Sequence, residues 1–150
     1  MKFKKATAST SLILLFFLFS GCSKVGIGGP SYTINGVVNG AQVVPASSST
    51  ATGVISGNFD GSKNTMTGMI KWTGLSGPPT AIHIHSGYSG SNGYAFFVMV
   101  NVPTGTTDSL NFKSEFTESL ESGVKIDKYY FDIHTAAYPQ GEIRGQIIAQ

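Results

Sequence analysis

From residue 32 onward, short stretches in which apolar and polar side chains alternate are separated by Gly, Asn, Asp, Ser and Pro. Successive side chains of a strand point to opposite faces, so this period of two marks half-buried β-strands. Strands are expected over residues 32–38, 54–60, 65–73, 80–85, 94–102, 109–116, 129–134 and 142–149. In the third of these, Met66, Ile70 and Trp72 share one face, and Thr65, Thr67, Lys71 and Thr73 the other. Gly61-Ser62-Lys63-Asn64, rich in turn-forming residues, reads as the hairpin loop between the second and third strands. Helical periodicity is confined to a short stretch near residues 117–122. About eight short strands with next to no helix predict an all-β fold, an antiparallel β-sandwich or Greek-key barrel-like domain.

The first residues follow a different pattern. Lys2, Lys4 and Lys5 precede the apolar run Leu12–Phe19, which ends at the small residues Ser20 and Gly21. A basic start, a short apolar stretch and small residues at a cleavage point are the parts of an export signal. A membrane-spanning helix needs about 20 apolar residues, and this run has roughly half that. Cys22 follows at once and is the single cysteine of the chain. Phe19-Ser20-Gly21-Cys22 resembles a lipobox, with Phe19 where Leu is usual. Lipidation at Cys22 would consume the thiol and hold the protein on a bilayer, and the alternative is plain secretion with Cys22 unpaired. The expected organisation is therefore a signal peptide at 1–21, a lipid-anchored Gly-rich tether at 22–31 and a β domain at 32–150. Ser23 is compatible with sorting to the outer membrane, which places the domain in the cell envelope, anchored to a membrane through its lipid.

Loss of the leader also changes the charge. Without Lys2, Lys4 and Lys5, the 10 basic residues of the chain fall to 7 against 8 acidic ones. No basic cluster remains to follow a phosphate backbone, which excludes nucleic acid as the expected partner. A phosphate-binding glycine loop, a Gly-x-Ser-x-Gly elbow and a Ser-His-Asp arrangement are all missing from the sequence, so no catalytic residue is assigned.

The chain has three histidines, His83, His85 and His134. In Ile82-His83-Ile84-His85 the period of two puts both isoleucines on one face and both imidazoles on the other. In Tyr130-Phe131-Asp132-Ile133-His134 it groups Phe131 with Ile133 and leaves Tyr130, Asp132 and His134 opposite. All three imidazoles thus leave the apolar side of their strands. Two on one strand and a third from a neighbour can bind copper or zinc, with Asp132 or Glu142 orienting a ligand or joining the site. Hydrogen-bonding histidines at strand ends are the alternative. Glu142 and Arg144 share a strand face and are expected to form a structural ion pair or network near the last strand, and Tyr129, Tyr130, Phe96 and Phe97 are expected to be packing residues.

Several segments in order resemble the CHRD (chordin-like) domain family. They are Asn39-Gly40-Ala41-Gln42-Val43-Val44-Pro45, Ala51-Thr52-Gly53, Gly74-Leu75-Ser76-Gly77, Ala81-Ile82-His83-Ile84-His85-Ser86-Gly87, and the long closing block from His134 to Gln146. Val43 stands where that family often has Glu. The resemblance implies a β-sandwich-type module of bacterial exported proteins and does not by itself fix an activity. A looser likeness links Gly74-Leu75-Ser76-Gly77 and His83-Ile84-His85 to the strand carrying two copper ligands in Cu/Zn superoxide dismutase, but histidines for the zinc and bridging positions are missing. Two functions are therefore expected: a non-catalytic envelope module binding a protein, glycan or small ligand, or a copper- or zinc-binding domain built on the three histidines.

Overall fold

The computed structural model describes residues 29–117 and 119–150. The expected signal peptide, Cys22 and most of the tether lie outside the described residues. Among the described residues nine strands form one sheet: β1 (Ser31–Asn39), β2 (Thr52–Asp60), β3 (Thr65–Thr73), β4 (Pro79–Ser86), β5 (Tyr94–Val98), β6 (Asp108–Glu115), β7 (Tyr129–Thr135), β8 (Ile143–Gln146) and β9 (Ile148–Ala149). Their order is β5-β4-β7-β8-β1-β2-β3-β6, with β9 beside β1, and every pairing is antiparallel. The β3–β4 and β6–β7 connections join strands that are not neighbours, so the sheet curls as a nearly closed barrel rather than a simple meander. The two end strands meet through rings instead of a hydrogen-bond ladder: Phe116 lies 5.7 Å from Phe96 and 5.8 Å from Phe97.

Alternation produces this arrangement. Ile34, Val38, Ile55, Phe59, Met66, Ile70, Trp72, Ile82, Ile84, Phe131, Ile133 and Ile143 face inward and are buried. Trp72 keeps its one polar group satisfied by donating Nε1–H to the Gly105 carbonyl at 2.9 Å. Losing a buried ring such as Phe131 costs about 3–5 kcal/mol, so the inward faces set the register of the whole sheet. The β2–β3 hairpin turns on residues 61–64, where Asp60 Oδ1 accepts from the Ser62 and Lys63 amides and Asn64 adopts φ 51°.

Most strand ends fall within one or two residues of expectation, and three differences are larger or change an element. The strand expected over 94–102 stops at Val98, shortly before Asn101 takes a left-handed φ of 55°. The last strand divides at the buried Ile147, whose amide bonds to Tyr129 while β9 passes to β1. The helical turn is α1 (Glu121–Val124), further along than 117–122, because Val124 is the residue that buries itself.

Candidate metal centre

Strands β4, β7 and β8 lie side by side, and their registers place the polar face residues in rows. His83 is opposite Asp132, which is opposite Arg144, while His85 is opposite Tyr130, which is opposite Gln146. Residues opposite one another in an antiparallel pair have Cβ atoms about 5 Å apart, and diagonal neighbours remain within reach of long side chains. Asp132 therefore receives His83 across the strand pair, His85 on the diagonal and His134 from two positions along its own strand. The imidazoles converge on one carboxylate.

The distances bear this out. His134 Nε2 is 3.0 Å from Asp132 Oδ1, His85 Nε2 is 3.0 Å from Oδ2, and His83 Nδ1 is 3.5 Å from Oδ1. His83 Nδ1 and His134 Nε2 are 3.2 Å apart. One ligand atom from each of the four residues lies within 4.8 Å of the others. Ligand bonds of about 2.0–2.2 Å to zinc separate tetrahedral donors by roughly 3.3–3.6 Å, so an ion fits with small side-chain adjustments.

Backbone carbonyls fix which nitrogen faces inward. His85 Nδ1 is 2.9 Å from the Gly93 carbonyl oxygen, and His134 Nδ1 is 3.0 Å from that of Pro139. A carbonyl only accepts, so both Nδ1 atoms carry hydrogen, and in the neutral tautomer Nε2 turns a lone pair toward the centre. A carbonyl behind the ring is the support that metal-ligating histidines commonly have. Gly93 can approach because it lacks a side chain: a Cβ there would overlap the Ser86 carbonyl. Tyr130 holds the same loop by accepting the Gly93 amide at 3.2 Å.

Charge is poised for a cation. Buried His85 Nε2 and Asp132 Oδ1 lack a directed hydrogen bond despite their close neighbours. Burial would raise the Asp132 pKa, but His134 and His85 outweigh it and bring it down to about 2. Burial opposes charge on His85 and His134 too, yet the carboxylate leaves both raised above the usual imidazole value. His83 is lowered, chiefly by burial. Protons or a metal ion can neutralise this cluster, and each displaces the other.

The expected second group, Glu142, is not part of it. Its carboxylate is wholly buried among Ser49, Ser76 and Thr135, and no described ion pair links it to Arg144. Arg144 instead lies 3.5 Å over the Tyr130 ring and donates to the Tyr88 carbonyl at 2.9 Å. Tyr130 also stacks on His85, centroids 4.7 Å apart and planes 11° from parallel, so it supports the centre as well as packing. Period two had already grouped Tyr130 with Asp132 and His134. The carbonyls of Gly93 and Pro139 left no signature in side-chain pattern.

No curated protein and no solved structure matches the chain, so the likeness to superoxide dismutase rests on its strand motif alone. A family model for the CHRD domain matches residues 34–147, from the middle of β1 to the junction of β8 and β9. That match spans most of the 150 residues and nearly the whole described barrel, and the chain belongs to the CHRD domain family.

Proposed function

We propose that this CHRD domain is a metal-binding module of the bacterial cell envelope, lipid-anchored through Cys22 and carrying copper or zinc on His83, His85, His134 and Asp132. The observation that carries the reading is the pair of carbonyl-fixed imidazoles whose Nε2 atoms both aim at one buried carboxylate. Three nitrogens and one carboxylate oxygen suit zinc(II) or copper(II), and the donor set contains no sulfur that would select copper(I). Asp132 is assigned here as a ligand rather than an orienting neighbour, because every imidazole touches it. A module of this kind is a binding domain whose ligand is the ion.

Metal analysis of full-length protein in detergent, followed by zinc and copper titration, tests the site. Wild type should take up one ion, and the His83→Ala/His85→Ala variant should take up none. Equal and negligible uptake by both would end the proposal. Incorporation of labelled palmitate that disappears in Cys22→Ala tests the anchor, and labelling that persists in the variant rejects it.

A further inference from the structure

The three imidazoles are not held alike. His85 and His134 are each pinned by a backbone carbonyl and cannot turn without breaking that bond. His83 has no such pin: Nδ1 faces the cluster, and Nε2 has no hydrogen-bond partner among the described residues. Its side chain is also the most open, 21% exposed against 13% for each of the other two and 9% for Asp132. Across β5 its neighbour is Val98, which is exposed and has no polar side-chain group to steady the ring. Rotation of His83 forfeits one metal–nitrogen bond and breaks no bond to the backbone.

Charge determines what would replace it. A divalent ion beside one carboxylate leaves a positive charge in excess, and the buried guanidinium of Arg144, opposite Asp132 in the sheet, adds a second. One guanidinium nitrogen, Nη1, is buried without a hydrogen-bond partner, and the carboxylate that faces the guanidinium is the same Asp132 that the ion would share. A partly desolvated positive centre attracts an anion more strongly than water does.

We propose that His83 is the exchangeable ligand of the centre and that a small monodentate anion takes the position it vacates. This rests on the metal-binding reading above. His85, His134 and Asp132 keep the ion throughout; the bond from His83 Nδ1 breaks, the anion's lone pair forms the new one, and no electron changes hands.

Full-length protein in detergent, loaded with cobalt(II), tests this, because the visible absorption of cobalt(II) reports its coordination. Azide is the probe anion. In wild type azide should shift the cobalt spectrum. In His83→Ala the ion should be retained with its Kd raised less than about 10-fold, and azide should bind about 10-fold more tightly than in wild type. In His85→Gln the cobalt Kd should rise by about 100-fold or more. A cobalt spectrum indifferent to azide, or equal metal loss in His83→Ala and His85→Gln, overturns the exchangeable role. Circular dichroism establishes that each variant is folded, and the wild-type azide titration decides the matter if either is not. Failure of wild type to bind cobalt, zinc or copper at all would instead overturn the metal-binding reading on which this stands.

Discussion

Two buried carboxylates lie within two neighbouring segments of this barrel, and they are treated in opposite ways. Glu142 receives Ser49 Oγ at 2.8 Å, the Ser76 amide at 2.8 Å, Ser76 Oγ at 2.6 Å and Thr135 Oγ1 at 2.5 Å. Those donors come from three separate parts of the chain, so the carboxylate ties the loops around residues 49 and 76 to the end of β7. Asp132 faces His85 and His134, whose inward Nε2 atoms lack hydrogen when neutral, and one of its oxygens has no directed partner. A buried anion that is fully hydrogen-bonded by hydroxyls and amides is structural, whereas one surrounded by convergent lone pairs requires a cation. The protein thus separates the anion that holds the fold from the anion that holds a ligand.

The sharpest way to break this contrast is to remove Glu142. Glu142→Ala leaves several buried donors without an acceptor and should cost about 4 kcal/mol in urea denaturation, while the zinc Kd of the folded protein stays within about twofold. Its pH dependence has a definite sign. Burial would raise the Glu142 pKa, but its hydrogen bonds outweigh burial and hold it below the usual value. Its stabilisation is therefore complete above the unfolded-state pKa near 4.5 and is lost as pH falls through the lower folded value. Glu142→Gln should lack that acid-induced loss in urea titrations across pH.

Asp132 should behave the other way. Zinc at about 100 times its Kd should stabilise wild type by about 2.7 kcal/mol, read by calorimetry as a rise of roughly 10 °C in Tm that a chelator reverses. Asp132→Asn should weaken zinc about 100-fold and cost the metal-free protein about 2 kcal/mol near neutral pH, the size its lowered pKa implies and about half the Glu142→Ala loss. If Asp132→Asn destabilises the metal-free protein as much as Glu142→Ala does, the division of labour fails.

Proton competition gives a third test. The pKa values of His85 and His134 are raised, so both must lose protons before an ion enters. Zinc affinity measured by calorimetric titration should fall by about 100-fold between about pH 7.5 and pH 5.5, with the decline beginning above the ordinary imidazole pKa of about 6.5. A smaller effect is expected at Tyr130. Tyr130→Phe removes the acceptor of the Gly93 amide and should cost about 1 kcal/mol in denaturation, with less than about a threefold change in zinc affinity.

Much of this was visible in the alternation of the chain. The period of two located nearly every strand, because inward isoleucines and aromatics recur at that spacing, and it put His83, His85, Asp132 and His134 on polar faces. The shared centre was not visible, since it depends on the register in which His83 meets Asp132 across 49 residues of chain. Glu142 and Arg144 illustrate the same limit. They share a face, but Glu142 precedes β8 and meets the serine loops, whereas Arg144 reaches over Tyr130. Local periodicity gives the direction of a side chain but not what waits for it there.

The seam between β5 and β6 has a kinetic consequence. A ring of strands has no edge to fray, but here β5 is laddered to β4 alone, and β4 carries two of the three imidazoles. The carbonyl that pins His85 belongs to Gly93, directly before β5 begins at Tyr94. Opening of this margin and opening of the metal centre therefore share a hinge. An ion seated on His85 would slow amide hydrogen exchange first along β5 and far less along β1 and β2, where neighbouring strands already guard both sides.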